Sequence, residues 1–375
     1  MKVVIAIDSL KGSLSSMEAG MAAKEAILHV HPDAEVVVKP LADGGEGTTD
    51  AMIEGMGGME KITIPVTGPY YGRKIDAYYG FMPSTGMAVM EMAQAAGITI
   101  EKAKEPLEAT TYGVGEMILD ALNRGCKELI IGIGGSATND GGIGMLKALG
   151  VKMTDADGND VGEGAAALEK VAHISFDALD PRLADCTIRV ACDVKNPLCG
   201  PMGSTYIFGP QKGVKEDQKA VIDGYMSHYA DVVAKTVGTD YQNVEGAGAA
   251  GGLGFAFLYA LNGKLTPGIE LILNTIHLED EVRTADIVIT GEGCLDGQTA
   301  MGKVPVGVAS LAKKYGKKTL AFAGAVTKDA KACNAAGIDA FFPIVRGVCS
   351  LEDAMKYENA RQNMIDTVEQ VFRLF

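Results

Sequence analysis

A glycine-rich loop in the middle of the chain constrains the fold most strongly. Residues 129–142 read LIIGIGGSATNDGG, and a helical pattern begins at Ile143. A buried strand that is connected to a helix by a loop of glycines leaves the N–H groups at the start of the helix accessible. Such N–H groups favour an anion. The loop also carries Asp140, a carboxylate that a simple anion site would avoid. Amides beside a carboxylate indicate a site for phosphate together with a divalent metal.

The composition is typical of a globular protein whose loops carry the chemistry. Glycine accounts for 48 of the 375 residues, about 13% against a usual value of about 7%, and the excess gathers at predicted strand ends. The net charge of −14 argues against nucleic acid or an anionic membrane as a partner. Seven cysteines without a C-x-x-C pair predict reduced thiols in a cytoplasmic protein.

The order of predicted elements at the two ends of the chain indicates an α/β fold. Strands over 3–7 and 35–41 begin the chain, and strands over 287–290, 319–323 and 340–344 end it, with helices between them. Strands that are apolar on both faces belong inside parallel sheets. We therefore predict that these five form one Rossmann-like or flavodoxin-like, doubly wound parallel sheet.

The middle of the chain is predicted to form a second, inserted α/β domain. Short strands over 62–67, 75–81 and 87–92, separated by turn residues, predict an antiparallel meander. Longer strands over 129–133 and 187–192 complete a mixed sheet. The predicted domains are therefore a discontinuous one, 1–61 with 285–375, and the insertion, 62–284.

Acids and lysines follow several predicted strands at their carboxyl ends, where open α/β sheets bind ligands. Five such ends carry, in chain order, Asp8, Ser9, Lys11 and Ser13; Asp43 and Glu46; Ser136, Asn139 and Asp140; Asp193, Lys195 and Asn196; Glu292, Asp296 and Lys303. This combination matches phosphoryl transfer, which needs cations and amides for the phosphates, carboxylates for Mg²⁺ and a base near the acceptor hydroxyl. The chain has neither the G-x-x-x-x-G-K-[ST] motif of P-loop enzymes nor the signature set of protein kinases.

Two other interpretations use the same loops. Gly132-x-Gly134-x-x-Ala137 fits the dinucleotide fingerprint, and Asp155 lies near the distance expected for a ribose contact, so an NAD-dependent hydroxy-acid dehydrogenase is the first alternative. Asp140 stands against it, because it falls in the first turn of the helix that would face the pyrophosphate. A metabolite-binding regulator without catalysis is the second alternative, and a turnover assay separates it from an enzyme.

Seven segments, in order along nearly the whole chain, resemble the bacterial-type glycerate kinase family. They are IAIDSLKGSLS (5–15), PLADGGEGT (40–48), IGIGGSATNDGGIGM (131–145), VACDVKNPLCGPMGS (190–204), FGPQKG (208–213), GAGAAGGLG (246–254) and ITGEGCLDGQT (289–299). The resemblance implies a Rossmann-like or flavodoxin-like domain, a second α/β domain and an active site in the cleft between them. It also implies ATP-dependent phosphorylation of D-glycerate, usually at the 2-hydroxyl. Cys294 stands where the family more often has a basic residue.

The expected partners are ATP, Mg²⁺ and D-glycerate, with both hydroxyls of glycerate open as acceptors. Asp193 is the candidate base that orients the acceptor hydroxyl, and Lys11 is a candidate contact for phosphate or for the substrate carboxylate. Asp296 and Glu292 are candidate ligands of Mg²⁺, directly or through water. Candidates for binding phosphate, nucleotide or substrate are Ser9, Asp43, Gly44, Gly45, Glu46, Gly134, Gly135, Ser136, Asn139, Asp140, Asn196, Lys212 and Lys303.

Overall fold

Strands and helices alternate along the residues that the computed structural model describes, which are 1–70, 72–102 and 104–375. The strands of this part of the chain, in order, are β1 (Lys2–Ile7), β2 (Glu35–Val38), β3 (Glu60–Thr67), β4 (Lys74–Met82), β5 (Met87–Glu91), β6 (Glu128–Gly132), β7 (Lys152–Thr154), β8 (His173–Ser175), β9 (Thr187–Ala191), β10 (Lys264–Thr266), β11 (Ile287–Leu295), β12 (Lys318–Val326) and β13 (Ala340–Pro343).

Fourteen α-helices lie among these strands in the same described residues. They are α1 (Ser16–Val30), α2 (Thr48–Gly55), α3 (Ala93–Ala96), α4 (Tyr112–Asn123), α5 (Ile143–Ala148), α6 (Ser204–Phe208), α7 (Lys219–Val237), α8 (Leu253–Ala260), α9 (Gly268–Thr275), α10 (Leu278–Thr284), α11 (Val304–Lys314), α12 (Ala332–Ala335), α13 (Leu351–Met355) and α14 (Tyr357–Phe372). Short 3₁₀ helices span Ala165–Lys170, Pro181–Asp185, Pro210–Lys212, Glu216–Gln218, Ala249–Gly252, Thr299–Met301 and Lys328–Lys331.

The chain forms two compact units. Unit 1 comprises Met1–Asp43, Asp50–Gly57 and Ile269–Phe375, and unit 2 comprises Gly44–Thr49 and Gly58–Gly268. Helix α10 lies in unit 1, whereas the predicted boundary at 284/285 places it in the inserted domain.

Unit 1 contains a five-stranded sheet in the order β13-β12-β11-β1-β2, and every neighbouring pair is parallel. Val3 of β1 pairs with Ile287 of β11 on one side and with Val36 of β2 on the other. The strands from the two ends of the chain therefore share one sheet, and the predicted doubly wound α/β fold is confirmed.

Both faces of this sheet are covered because its central strands are apolar throughout. Helix α1 begins in a capping box, in which Ser15 Oγ accepts from Glu18 N and Glu18 Oε2 accepts from Ser15 N. Its alanine-rich side packs with α14 on the face that carries Val3, Ile5 and Ile7. Helix α11 covers the opposite face of β11 and β12.

Unit 2 contains a six-stranded mixed sheet in the order β10-β9-β6-β5-β4-β3. The three antiparallel strands β3 to β5 are the predicted meander, and β5, β6, β9 and β10 run parallel. The carboxyl ends of β5, β6 and β9 consequently lie at the same edge of the sheet. The glycine-rich loop that follows β6 starts from this edge.

Two strands of unit 1 extend beyond their predicted ends. The predicted strand at 287–290 continues to Leu295, and the strand predicted to end at Ala323 continues to Val326. The extensions pair with each other, since Cys294 lies opposite Ala325. Gly291 and Gly293 follow the predicted end of the first of these strands, but in the structure they lie within β11. Gly291 allows the backbones to approach closely, because a Cβ there would lie 1.9 Å from Phe322 O.

Candidate functional site

The carboxyl edge of the unit 1 sheet gathers acidic side chains at a switch point in the strand order. Strand β1 has β2 on one side and β11 on the other, and in open α/β sheets such a reversal leaves a crevice where ligands bind. Asp8 directly follows β1, and its N–H donates to Gly291 O over 2.9 Å. The residue after Gly291 is Glu292, so these two carboxylates project from neighbouring strands.

A cavity of about 730 Å³ opens at this edge, and its lining belongs to unit 1 alone. This volume is in the range of small-molecule sites. The polar part of the lining is Asp8, Ser9, Lys11, Ser13, Asp43, Glu292, Asp296, Lys303 and Ser350. Six of these residues are sequence candidates, and the structure places them in one space; their roles stay predictions.

Burial and neighbouring charges strongly perturb the carboxyl group of Asp8. Its side chain is 8% exposed, and Ser9 N donates to its Oδ1 over 2.7 Å. Burial and, next, the negative charge of Asp43 raise the pKa of Asp8 to about 7, while the Ser9 hydrogen bond and Lys11 act in the opposite direction. A carboxyl group that titrates near neutral pH beside other carboxylates is suited to respond to a cation.

Thr299 connects the two acids of β11 and the turn after it. Its Oγ1 lies 2.5 Å from Glu292 Oε1 and 3.2 Å from Asp296 Oδ1. Asp296 Oδ1 also accepts from the backbone N–H groups of Gln298 and Thr299. Glu292 is 9% exposed, and burial raises its pKa. Lys303 Nζ lies 3.9 Å from Asp296 Oδ1 and supplies positive charge to the pair.

The donor set of this cavity fits Mg²⁺. Carboxylate and hydroxyl oxygens are the ligands that Mg²⁺ prefers, and it commonly uses one or two protein carboxylates together with phosphate oxygens and water. Within residues 1–70, 72–102 and 104–375, no group of three or more His, Cys, Asp or Glu side chains could hold a metal ion by itself. Burial and, after it, the negative charges of Asp43 and Glu292 raise the pKa of Asp8, and a bound cation would relieve the repulsion among these carboxylates.

Cys294 also lines the unit 1 cavity, beside these acids. Its thiol is exposed. Burial, then the charges of Asp296 and Glu292, raises the pKa of this thiol, and Lys303 lowers it. Lys303 thus supplies a positive charge near Cys294 in this cavity.

In unit 2, the glycine-rich loop is organised around a buried Asp140. The side chain has no exposed surface, and burial raises its pKa. Asp140 Oδ2 accepts from the N–H and the hydroxyl of Thr111, both at 2.8 Å, and from Gly144 N at 3.3 Å, while Oδ1 accepts from Gly142 N. Asp140 therefore accepts hydrogen bonds from backbone N–H groups at the start of α5, so these groups are already paired within the protein. The same amides would be needed for a dinucleotide pyrophosphate, so this arrangement disfavours the dehydrogenase interpretation.

Lys212 holds the same loop from another side. It is 2% exposed, and its Nζ donates to Ser136 Oγ at 2.7 Å and to Thr138 O at 2.6 Å. Burial lowers the pKa of Lys212 to about 7, against the favourable charge of Asp140. The neighbouring candidate Asn139 is also buried, and its Nδ2 donates to Thr205 Oγ1. We therefore assign these buried side chains to positioning the loop, whereas Gly134 and Gly135 are exposed at its tip.

The segment 246–254 packs tightly against the glycine-rich loop. A Cβ on Gly251 would lie 2.1 Å from Thr138 O, and one on Gly252 would lie 2.7 Å from Gly141 Cα. Ala250, Gly251 and Gly252 all have positive φ, a conformation in which a non-glycine residue is uncommon. The glycines of this segment thus serve backbone packing inside unit 2.

The candidates Gly44, Gly45 and Glu46 lie on a loop that Glu91 anchors at the end of β5. Glu91 is buried, and its carboxylate accepts from Thr49 N at 2.8 Å. A Cβ on Gly132 would lie 2.3 Å from Gly44 O, so this loop rests directly on the carboxyl end of β6. Glu46 is exposed.

Asp193 and Asn196 follow β9 at the same edge of the unit 2 sheet. Asp193 is exposed, and its Oδ1 accepts from Gly268 N at 2.8 Å, which fixes the carboxylate at the strand end. Asn196 Nδ2 donates to Met202 O at 2.8 Å, so this amide shapes its own loop. Lys195, also considered from the sequence, pairs with Glu245 on the surface.

Three contributors to these sites were not assigned from the sequence. Asp8 has no predicted role, although its position directly after β1 is a signal for a ligand-facing acid. Thr299 donates to Glu292, seven positions before it, and Glu91 accepts from Thr49 N, 42 positions before it. No local pattern distinguishes such residues from an ordinary helix-cap threonine or a buried strand-end acid.

Comparison with known proteins places this fold among the kinases. A family model described as Glycerate kinase family matches residues 3–375. The Glycerate 2-kinase of Escherichia coli (strain K12) is 46% identical over 363 residues, which are 96% of this chain and 95% of that protein. The Glycerate kinase of Bacillus subtilis (strain 168) is 45% identical over 374 residues, covering 99% of this chain and 97% of that protein.

A solved structure has the same fold. The crystal structure described as a glycerate kinase 2 from Salmonella typhimurium LT2 aligns with a TM-score of 0.92 and 43% identity, covering 100% of this chain and 98% of that one. The chain belongs to the glycerate kinase family. None of the helices in its described residues is long and apolar enough to cross a membrane.

Proposed function

We propose that the chain transfers the γ-phosphoryl group of ATP to D-glycerate, giving 2-phosphoglycerate and ADP with the assistance of Mg²⁺. Family membership supports glycerate as the acceptor, and the Escherichia coli relative, a Glycerate 2-kinase, supports the 2-hydroxyl. The observation that carries the proposal is the polar part of the unit 1 cavity, where four carboxylates and two lysines line one space. Phosphoryl transfer needs such charge and positioning and little covalent chemistry from the protein.

Within unit 1, lysines and carboxylates take complementary parts in this proposal. Lys11 and Lys303 act as point charges for phosphate oxygens. Glu292 and Asp296 are the residues that would hold Mg²⁺, directly or through water, and Thr299 keeps their oxygens together. When bound, Mg²⁺ would neutralise negative charge on the phosphates. Ser9 and Asp43 complete the polar lining with a hydroxyl and a further carboxylate.

Within unit 2, Asp193 is the proposed base. Its Oδ1 accepts from Gly268 N, which holds the carboxylate in place at the strand end. The 2-hydroxyl gives its proton to Asp193 as its oxygen bonds to the γ-phosphorus. The bond from that phosphorus to the bridging oxygen breaks, and ADP leaves with the electron pair.

The exposed glycines of unit 2 are proposed to bind anionic oxygens through their backbone. Gly134 and Gly135 offer N–H groups without side chains at the exposed tip of the glycine-rich loop. Lys212 holds the glycine-rich loop in place through its hydrogen bonds to Ser136 and Thr138. This division assigns ligand contact to backbone and positioning to the buried side chains.

An ADP-release assay with product identification tests the proposed function. Purified protein with Mg-ATP should release ADP only when D-glycerate is added, and phosphorus NMR should show the phosphate on carbon 2. Phosphate on carbon 3 would overturn the choice of hydroxyl. Reduction of NAD⁺ with a hydroxy acid, without ADP release, would favour the dehydrogenase, and binding without turnover would favour a regulator.

Substitution of Asp193 tests the proposed base. Asp193→Asn retains the shape and the contact with Gly268 but cannot take a proton, so kcat should fall about 10²–10⁴-fold, the usual contribution of a positioned base. Asp185→Asn, at an exposed position before the amino end of the same strand, is the matched control and should keep kcat. Near-normal kcat in Asp193→Asn would remove it from the catalytic role.

A further inference from the structure

One wall of the unit 1 cavity is apolar and has no part in the roles assigned so far. It is formed where the chain leaves β13 and enters α13, by Pro343, Ile344, Val345, Leu351, Ala354 and Met355. Leu351 is 76% exposed, although it lines a concave site. A large apolar side chain held open to solvent inside a ligand-sized cavity points to a ligand with an apolar part.

The size and chemistry of the two substrates decide which of them could use this wall. D-glycerate has three carbons, each bearing oxygen, and offers almost no apolar surface to bury. The adenine of ATP is flat and largely apolar on its faces, and its phosphates carry the charge that the lysines at the other part of the cavity would bind. A nucleotide therefore has an apolar base for the apolar wall and charged phosphates for the lysines, whereas glycerate has only polar and charged groups.

We propose that the wall formed by residues 343–355 is the adenine subsite, and that the phosphates of the nucleotide extend from it towards Lys11 and Lys303. This inference rests on the proposed function, since it assigns one of its two substrates to a position. It places the nucleotide within unit 1, with its phosphates at the switch point between β1 and β11, where doubly wound folds bind ligands. In this arrangement, D-glycerate does not contact the apolar wall.

Two cysteines report on this orientation in the unmodified protein. Cys349 lies immediately before Ser350, the N-cap residue of α13, and Cys294 lies beside Glu292; both thiols are exposed and both line the cavity. The orientation predicts that the base covers Cys349 and the phosphates cover Cys294. Cys186, a half-buried thiol of unit 2, serves as the internal reference.

Site-resolved alkylation with N-ethylmaleimide tests the orientation. The rate at each cysteine is measured by peptide mass spectrometry with adenosine, with Mg-ADP and with D-glycerate. At ten times the dissociation constant, a ligand should slow a covered thiol about tenfold. Adenosine should slow Cys349 alone, Mg-ADP should slow Cys349 and Cys294, and D-glycerate should leave Cys349 unchanged.

A paired substitution supplies a second measurement. Leu351→Glu places a charge on the apolar wall at an exposed position, so the fold should be retained, and the KM for ATP should rise about tenfold while the KM for D-glycerate stays within about twofold. Val348→Glu is the matched control, because Val348 is a fully exposed apolar residue of the same loop that does not line the cavity. Both KM values should be unchanged in it.

The outcomes separate this inference from the proposed function. If Mg-ADP slows neither cysteine, or if D-glycerate protects Cys349 where adenosine does not, the adenine subsite is wrong even when ADP release with D-glycerate is normal. An unchanged KM for ATP in Leu351→Glu would also overturn it. If adenosine protects Cys349 but D-glycerate elicits no ADP release, the subsite stands and the proposed acceptor is wrong.

Discussion

Replacing Asp8 by asparagine tests whether the cavity holds an unfavourable charge in the folded chain. Burial and the neighbouring Asp43 raise the pKa of Asp8 from 3.8 to about 7. Between these two values the folded state retains a proton that the unfolded chain has released, so stability falls as the pH rises through this window. At about 1.4 kcal/mol for each pH unit, the loss amounts to at most about 4 kcal/mol and is complete above pH 7.

The variant Asp8→Asn removes the ionisation and keeps an oxygen that can accept from Ser9 N. Its free energy of unfolding should exceed that of the parent by up to about 4 kcal/mol at pH 8, and by less than about 1 kcal/mol at pH 4. Urea denaturation followed by circular dichroism, in buffer with a chelator, measures this difference across the pH range. Asp33→Asn, at an exposed position of unit 1, controls for loss of one charge. An advantage that does not change with pH would refute the reasoning.

Three further substitutions test individual contacts. Lys11→Met should lower kcat/KM roughly ten- to a hundredfold if the lysine binds phosphate or carboxylate; kinetic constants within about twofold of the parent would show that it only faces water. Asp296→Ala should raise the Mg²⁺ concentration for half-maximal activity, and an unchanged value would leave it as a turn residue. Gly251→Ala should cost more than about 2 kcal/mol in urea denaturation, because its Cβ would lie 2.1 Å from Thr138 O. Gly224→Ala in α7, with nothing within 4 Å, should instead stabilise the chain by up to about 1 kcal/mol, and equal effects would contradict the packing argument.

Local sequence signals were sufficient for most of the fold. The capping box at Ser15 and Glu18 marks the start of α1 because both of its hydrogen bonds lie within one turn. The apolar residues of β1 identify an interior strand because no polar face remains for solvent. The extension of β11 to Leu295 was missed because its pairing with β12 is a long-range contact, and no local pattern reports it.

The sequence does not separate ligand-facing residues from structural ones as well, because the same residue type occurs both in open cavities and in enclosed sites. Asp8 and Asp140 both follow buried strands and both have raised pKa values. Asp8 lines an open cavity, whereas Asp140 is enclosed by donors that include Thr111, which lies 29 positions away. The sequence predicts that an acid is near a strand end, but only the packing of distant segments decides whether it faces a ligand.

The position of β1 has a consequence for the order in which a newly made chain can fold. On one side its hydrogen bonds go to β2, but on the other they go to Ile287–Gly291, and the ribosome reaches those residues roughly 280 positions later. At ~5–20 residues per second, β1 would wait about 15 s to a minute for that partner. Apolar on both faces, this strand would spend that interval as an unpaired edge. During synthesis, the start of the chain is therefore open to mispairing until β11 has been made, and a chaperone bound there would protect it.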